Sequence, residues 1–209
     1  MKKLLGLTAL LVILFNQFIL AGNGKPSKSS SLNLNVIAYS QGNWGGQKSD
    51  ELAMICKVYF PEGLKIGSDN TLVLSSPQAI EEFLPSGTSA KPFPFGQMTD
   101  PGLTYKNMLA GELVALSLNL ALDHYRKDGF STLINMEIKE GEMQGKTVED
   151  LYKEANRKLG GGYSVYSFNI LTEALYAVNR NFIEPGINRG FLIVPTENNQ
   201  FAEGTVMIK

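Results

Sequence analysis

One cysteine, one histidine and one tryptophan stand among the 209 residues, and each scarcity removes a class of chemistry. With Cys56 alone, no intramolecular disulfide and no thiolate metal cluster can form. It lies in the apolar run Leu52-Ala53-Met54-Ile55-Cys56 and reads as a buried, inert thiol. A serine hydrolase needs a base, and the only imidazole is His124, placed near a helix C-terminus where the dipole favours a positive ring. There is no Gly-x-Ser-x-Gly elbow to raise a nucleophile. Zinc sites fail for want of ligands, and no acidic loop has the glycine of an EF-hand. The sequence therefore predicts no catalytic residue, no metal ligand and no cofactor. Charge is also missing: 19 basic against 20 acidic residues give a net −1, which argues against a nucleic acid or an anionic membrane as partner.

Long apolar runs are absent too, except at the start. Met1-Lys2-Lys3 precedes an apolar stretch over residues 4–20, interrupted by Asn16 and Gln17 and followed by Ala21-Gly22. That is the layout of a secretory signal peptide, with cleavage expected after Ala21; an uncleaved anchor is the competing reading. No cysteine follows the run, which excludes lipidation there. The expected organisation is a signal peptide at 1–21, a disordered Ser/Lys/Gly/Pro leader at 22–33, and a single globular domain at 34–209. Its 44% hydrophobic content supports one core. An exported chain without disulfides depends on that core alone, as in bacterial secreted domains. The predicted location is extracellular, periplasmic or cell-surface, with no membrane contact once the signal is removed.

Periodicity indicates an α+β, helix-dominated fold. A short strand is expected at 34–39, then a helix opening at Ser49-Asp50-Glu51 and ending before Pro61. Residues 64–74 read as a hairpin around Gly67-Ser68-Asp69-Asn70. Ser76-Pro77 starts a short helix as N-cap and first-turn proline. Residues 86–104, punctuated by Pro92, Pro94 and Pro101, read as a long loop, either functional or fastened by aromatics. The strongest helix is expected at 105–125, apolar over most of its circumference and so central to the fold. After it come an extended segment at 133–139 that turns at Glu140-Gly141 and returns at 142–144, and a helix capped by Thr147 with Asp150. Gly160 suits the left-handed position that ends that helix. A helix capped by Ser167 follows, stopping at Pro185-Gly186, and strands are expected at 191–194 and 205–208.

The candidate site residues come from two signals. The first is aromatic-plus-amide surface. Tyr39-Ser40-Gln41-Gly42-Asn43-Trp44-Gly45-Gly46 sets the largest side chain among glycines. Gln41, Asn43 and Trp44, with Phe93 and Phe95 near Gln97, could stack on a sugar or peptide. The plainer account, favoured for Trp44, is that the ring buries itself and fastens the loop. The second signal is a polar stripe on the 105–125 helix, where Tyr105, Glu112, Asn119 and Asp123 share one line and Lys106, Ser117 and His124 another. Glu112 and Asn119 either face a ligand cavity or satisfy solvent and neighbouring backbone. The grouped acids Glu81-Glu82, Glu137/Glu140/Glu142 and Glu149-Asp150 read as solvated.

The segment Ser40-Gln41-Gly42-Asn43-Trp44-Gly45 resembles the T-Q-G-x-W-G opening of a family of secreted bacterial domains of uncharacterised function. Phe60-Pro61-Glu62-Gly63-Leu64-Lys65-Ile66-Gly67, Leu74-Ser75-Ser76-Pro77 through Gly87, and Ala110-Gly111 through Asn119 are similar to later motifs of that family. The likeness spans roughly residues 36–186 and carries no catalytic residues. It implies an exported or surface protein, although the neighbouring adhesion or sorting module usual in the family is not seen here and strands are expected after Gly186. The resulting expectation is a non-enzymatic domain for extracellular or cell-surface interaction, with a glycan or an envelope protein as partner. A carboxylate-based hydrolase of envelope polysaccharide and a structural subunit of a surface assembly are the alternatives. Oligomeric state is left open by the sequence.

Overall fold

The computed structural model describes residues 36–126 and 132–193, all within one compact unit, Asn33–Lys209. The expected signal peptide, leader and strand at 205–208 lie outside the described residues. The class is the expected one, mixed helix and strand with helix dominant.

The organising element is α4 (Met108–Arg126). Leu109, Leu113, Val114, Leu116, Leu118 and Leu122 on it are wholly inaccessible, because helices and a sheet cover it all round. It begins three residues later than periodicity suggests. Asn107 Oδ1 accepts from Ala110 N, and Asn107 N donates to Ser86 Oγ at 2.7 Å, so Asn107 caps the helix. Tyr105 and Lys106 stay outside it. Lys106 Nζ instead donates to Glu82 O and Phe83 O at 2.8 and 2.7 Å, at the C-terminal end of α3 (Pro77–Phe83). A cation suits that end of the dipole, although burial pulls the ammonium pKa down.

Around α4 pack α1 (Gln41–Trp44), α2 (Ser49–Tyr59), α5 (Val148–Leu159) and α6 (Phe168–Asn181). The starts of α3, α5 and α6 follow local capping chemistry. Ser76 Oγ accepts from Ala79 N and Ser167 Oγ from Ile170 N. Thr147 and Asp150 form the reciprocal capping box, which satisfies two otherwise orphaned donors. The left-handed residue after α5 is Gly161 (φ +91°), one later than expected, since Gly160 is still helical (φ −69°).

A three-stranded sheet lies to one side. β1 (Leu64–Gly67) and β2 (Thr71–Leu74) form the expected hairpin, with Leu64 opposite Leu74 and Gly67 opposite Thr71. β3 (Gln97–Thr99) pairs in parallel with β2, Leu72 beside Met98. The segment 86–104 was expected to be loop throughout. Its strand is three residues long, with exposed Gln97 and Thr99, and its partner is remote, so no local pattern reveals it.

Two further expectations are corrected. Residues 36–39 run extended without a strand partner, because their backbone bonds go elsewhere: Ala38 N donates to Phe182 O at 3.0 Å, and Tyr39 N and O both bond Asn119. The segment is threaded between helices rather than laid on a sheet. Residues 142–144 do not return as a strand but turn tightly, with Gly145 N donating to Ile138 O at 2.9 Å. β4 (Glu137–Ile138) pairs instead with β5 (Leu192–Ile193), antiparallel. A 3₁₀ turn at Leu133–Asn135 precedes it, its Leu133 N held by Asp123 Oδ2 at 2.9 Å.

Candidate functional site

The Glu112–Asn119 line on α4 faces inward, onto protein. Asn119 Oδ1 accepts from Tyr39 N at 2.8 Å and from Trp44 Nε1 at 3.0 Å. Its Nδ2 donates to Tyr39 O and to Asn179 Oδ1, both at 2.9 Å. An amide has two acceptor and two donor positions, and all four are used. Asn179 passes the network on, its Nδ2 donating to Glu112 O and Oε2 at 2.9 and 2.8 Å. Gln41 closes it: Nε2 donates to Glu112 Oε1 at 2.9 Å, and Oε1 accepts from Ser86 N at 2.8 Å.

Glu112 is only 1% exposed, so its charge has to be compensated in place. Gln41 and Asn179 supply direct donors, and Arg180 stands 3.4 Å from Oε1. The carboxylate joins α1, α4 and α6 and has no opening onto a substrate. Glu112 is therefore committed to the interior and is not placed to serve the hydrolase alternative. Nor does Glu112 or Asn119 face a ligand cavity, because both are consumed in satisfying chain that would otherwise carry unpaired polar groups.

Trp44 is fully buried and meets Tyr39 edge-on, centroids 5.2 Å apart at 81°. It is an anchor. The loop after it closes tightly because a Cβ on Gly45 would lie 2.5 Å from Leu84 O. Asn43 serves α1 itself, forming the capping box with Ser40. Phe93 is buried and tilted at 59° to Tyr105 with centroids 6.3 Å apart. Of the seven expected ligand contacts, Gln41, Trp44, Glu112 and Asn119 therefore belong to one internal network, while Asn43 and Phe93 hold local structure. Phe95 alone is fully exposed.

The setting of Phe95 is unusual for an exposed ring. The backbone on either side is fixed: Phe93 N donates to Leu159 O at 2.7 Å, and Thr71 N to Gly96 O at 3.0 Å. Asn70 is the common fastener, its Oδ1 accepting from Gly96 N and its Nδ2 donating to Gly160 O, both at 2.8 Å. The β1–β2 turn, the Phe95 loop and the Gly160–Gly162 turn are thus stitched together. Just beyond that glycine turn, Tyr163 is also largely exposed. Tyr163 is not among the residues the sequence singles out, because the glycines before it read only as the end of a helix; an aromatic next to three glycines is the available signal.

Two recesses open on the surface of the described residues. One of about 220 Å³ is walled by Cys56, Phe60, Leu64 and Leu74, where burial pushes the Cys56 thiol up to about 11. At neutral pH it is protonated and a poor nucleophile. The other, a groove of about 660 Å³, lies between β1 and α5. Among the described residues no group of three or more His, Cys, Asp or Glu side chains could hold a metal ion, and no helix is long and apolar enough to cross a membrane.

No family model matches the chain, and neither a curated protein nor a solved structure is similar to it.

Proposed function

We propose that the chain is an exported, non-enzymatic binding domain that contacts a glycan or an envelope protein outside the cytoplasm, using the face that carries Phe95 and Tyr163. The observation that carries this reading is the fully exposed Phe95 on a loop whose backbone is bonded on both sides. A lone exposed apolar side chain is ordinary. A ring held out on a loop with a fixed backbone leaves only its own rotamer to be ordered on binding, and such preorganisation favours recognition. The signal-like N-terminus supports the same reading. So does the commitment of Glu112 to the interior.

The test compares the full chain with a Phe95→Ala/Tyr163→Ala variant on a glycan array and against solubilised envelope proteins. Binding that disappears in the variant while thermal stability stays the same supports the proposal. Silence of the unaltered chain on both, or binding indifferent to both rings, overturns it.

A further inference from the structure

The groove between β1 and α5 has a charge pattern the chain as a whole lacks. The protein carries a net −1. Yet the groove is lined by Lys65, Ser68, Tyr152, Lys153, Asn156 and Arg157 together with Gly67, and so by three cations and no carboxylate. Lys65 alternates with buried Leu64 and Ile66 on β1 and therefore points outward. Lys153 and Arg157 are four apart on α5, as are Tyr152 and Asn156, and such pairs share a helix face.

The cations are available. Lys65 is in no ion pair among the described residues. Lys153 and Arg157 pair along their own helix with Glu149 and Glu154, at 2.6 and 2.5 Å, and remain well exposed. The exposed Lys153–Glu149 pair contributes at most about 1 kcal/mol, so a ligand anion can take the carboxylate's place at little cost, while Arg157 keeps its bond to the less exposed Glu154 and meets a ligand through its other N–H donors. The walls are already set: Asn156 Oδ1 accepts from Gly67 N at 2.7 Å, and its Nδ2 donates to Tyr152 O at 2.9 Å, which ties the strand to the helix.

We infer that this groove holds an acidic polysaccharide, a sugar chain bearing carboxylate or sulfate groups, with Lys65, Lys153 and Arg157 as its anion contacts. Ser68 and Tyr152 offer the hydroxyl partners a sugar uses. The same β1–β2 turn that supplies Ser68 is stitched through Asn70 to the Phe95 loop and the Gly160 turn, so aromatic faces for stacking on sugar rings lie on adjoining loops. An added peptide strand is disfavoured, because α5 already packs against β1. A nucleic acid would call for a broader basic surface than this net charge provides. The inference rests on the binding-domain reading and narrows it to one ligand class.

Titration calorimetry of the full chain against alginate, dextran sulfate, neutral dextran, poly-glutamate and single-stranded DNA tests it. Binding to alginate or dextran sulfate is expected, weakening as salt is raised, with neutral dextran at least about tenfold weaker. Which of the two acidic polymers binds identifies the anion. The K65Q/K153Q/R157Q variant should lose about tenfold or more in affinity, and Lys65→Glu alone should weaken binding with the melting temperature unchanged. Equal binding of poly-glutamate or DNA, an unaffected triple variant, or no binding to either acidic polysaccharide overturns the inference. Envelope-protein or neutral-glycan binding that survives in the triple variant would leave the broader binding reading standing and remove only this one.

Discussion

Trp44 and Asn119, seventy-five residues apart, are joined by a 3.0 Å hydrogen bond from the indole nitrogen to the amide oxygen, fully inside the protein. The bond lets the largest side chain in the molecule be buried without leaving its N–H unpaired. It also turns a loose glycine-rich segment into part of the core. Burial of the ring contributes on the order of 1.5–3 kcal/mol, and the amide fixes where it goes.

Asn119→Ala should be among the most damaging single changes. It strands Tyr39 N, Tyr39 O and Trp44 Nε1, and each buried orphan costs about 1–3 kcal/mol. A loss of roughly 3–5 kcal/mol in urea unfolding is expected. Asn119→Asp should fare no better, since its carboxylate would face Tyr39 O and Asn179 Oδ1 where the amide donates. A loss below about 1 kcal/mol for both would show that the network is ornamental.

Gly111→Ala should destabilise although alanine is the better helix former by about 1 kcal/mol. Its Cβ would lie 2.8 Å from Ser86 Cβ and press on the Gln41 carboxamide, disturbing the bond to Glu112. The expected cost is about 1–3 kcal/mol. Gly46→Ala, with open space around the new methyl, is the control and should be neutral within about 0.5 kcal/mol by thermal melting.

Stability should fall on the alkaline side, with Cys56 contributing. Burial raises its thiol from 9.0 to about 11, so between those values the folded state keeps a proton that the unfolded state has lost. The unfolded chain then binds fewer protons, and stability drops as pH rises. The contribution is full below pH 9.0 and lost through about 11; its ceiling is on the order of 2–3 kcal/mol. Tyr59 and Tyr105, also raised by burial, act in the same direction at higher pH. Cys56→Ala should flatten the decline in melting temperature between about pH 8 and 11. An unchanged slope would exclude the thiol as a source.

The two phenylalanines of one loop should separate cleanly. Phe93→Ala opens a cavity in the core and should cost about 3–5 kcal/mol. Phe95→Ala should leave stability within about 0.5 kcal/mol while reducing binding. The pair is read by denaturant unfolding and by the binding assay on the same preparations.

Much of the fold was legible locally. The caps at Ser76, Thr147 and Ser167, and the hairpin around Ser68-Asp69-Asn70, follow from neighbours within a few residues. The central position of α4 followed from an apolar surface too wide for one contact face. The candidate site was much less legible. Glu112, Asn119 and Gln41 were expected to contact a ligand and instead bond the protein interior, because their direction depended on Tyr39, Ser86 and Asn179, which lie 45 to 80 residues away in the chain. The α4 start was misplaced because Asn107's cap is completed by Ser86 Oγ.

The sequence by itself determined where α2, α3, α5 and α6 begin, where the hairpin turns and which helix must be inside, because those outcomes depend on short-range sterics, capping and apolar period. Only tertiary structure decided that Trp44 faces in and Phe95 out, that Gln97–Thr99 joins a sheet, and that Lys65 shares a groove with Lys153 and Arg157. A polar side chain or a ring has no preferred direction until remote chain supplies or withholds its partner. Compensating a buried carboxylate and pairing a buried amide are non-local bargains, and they were settled by packing.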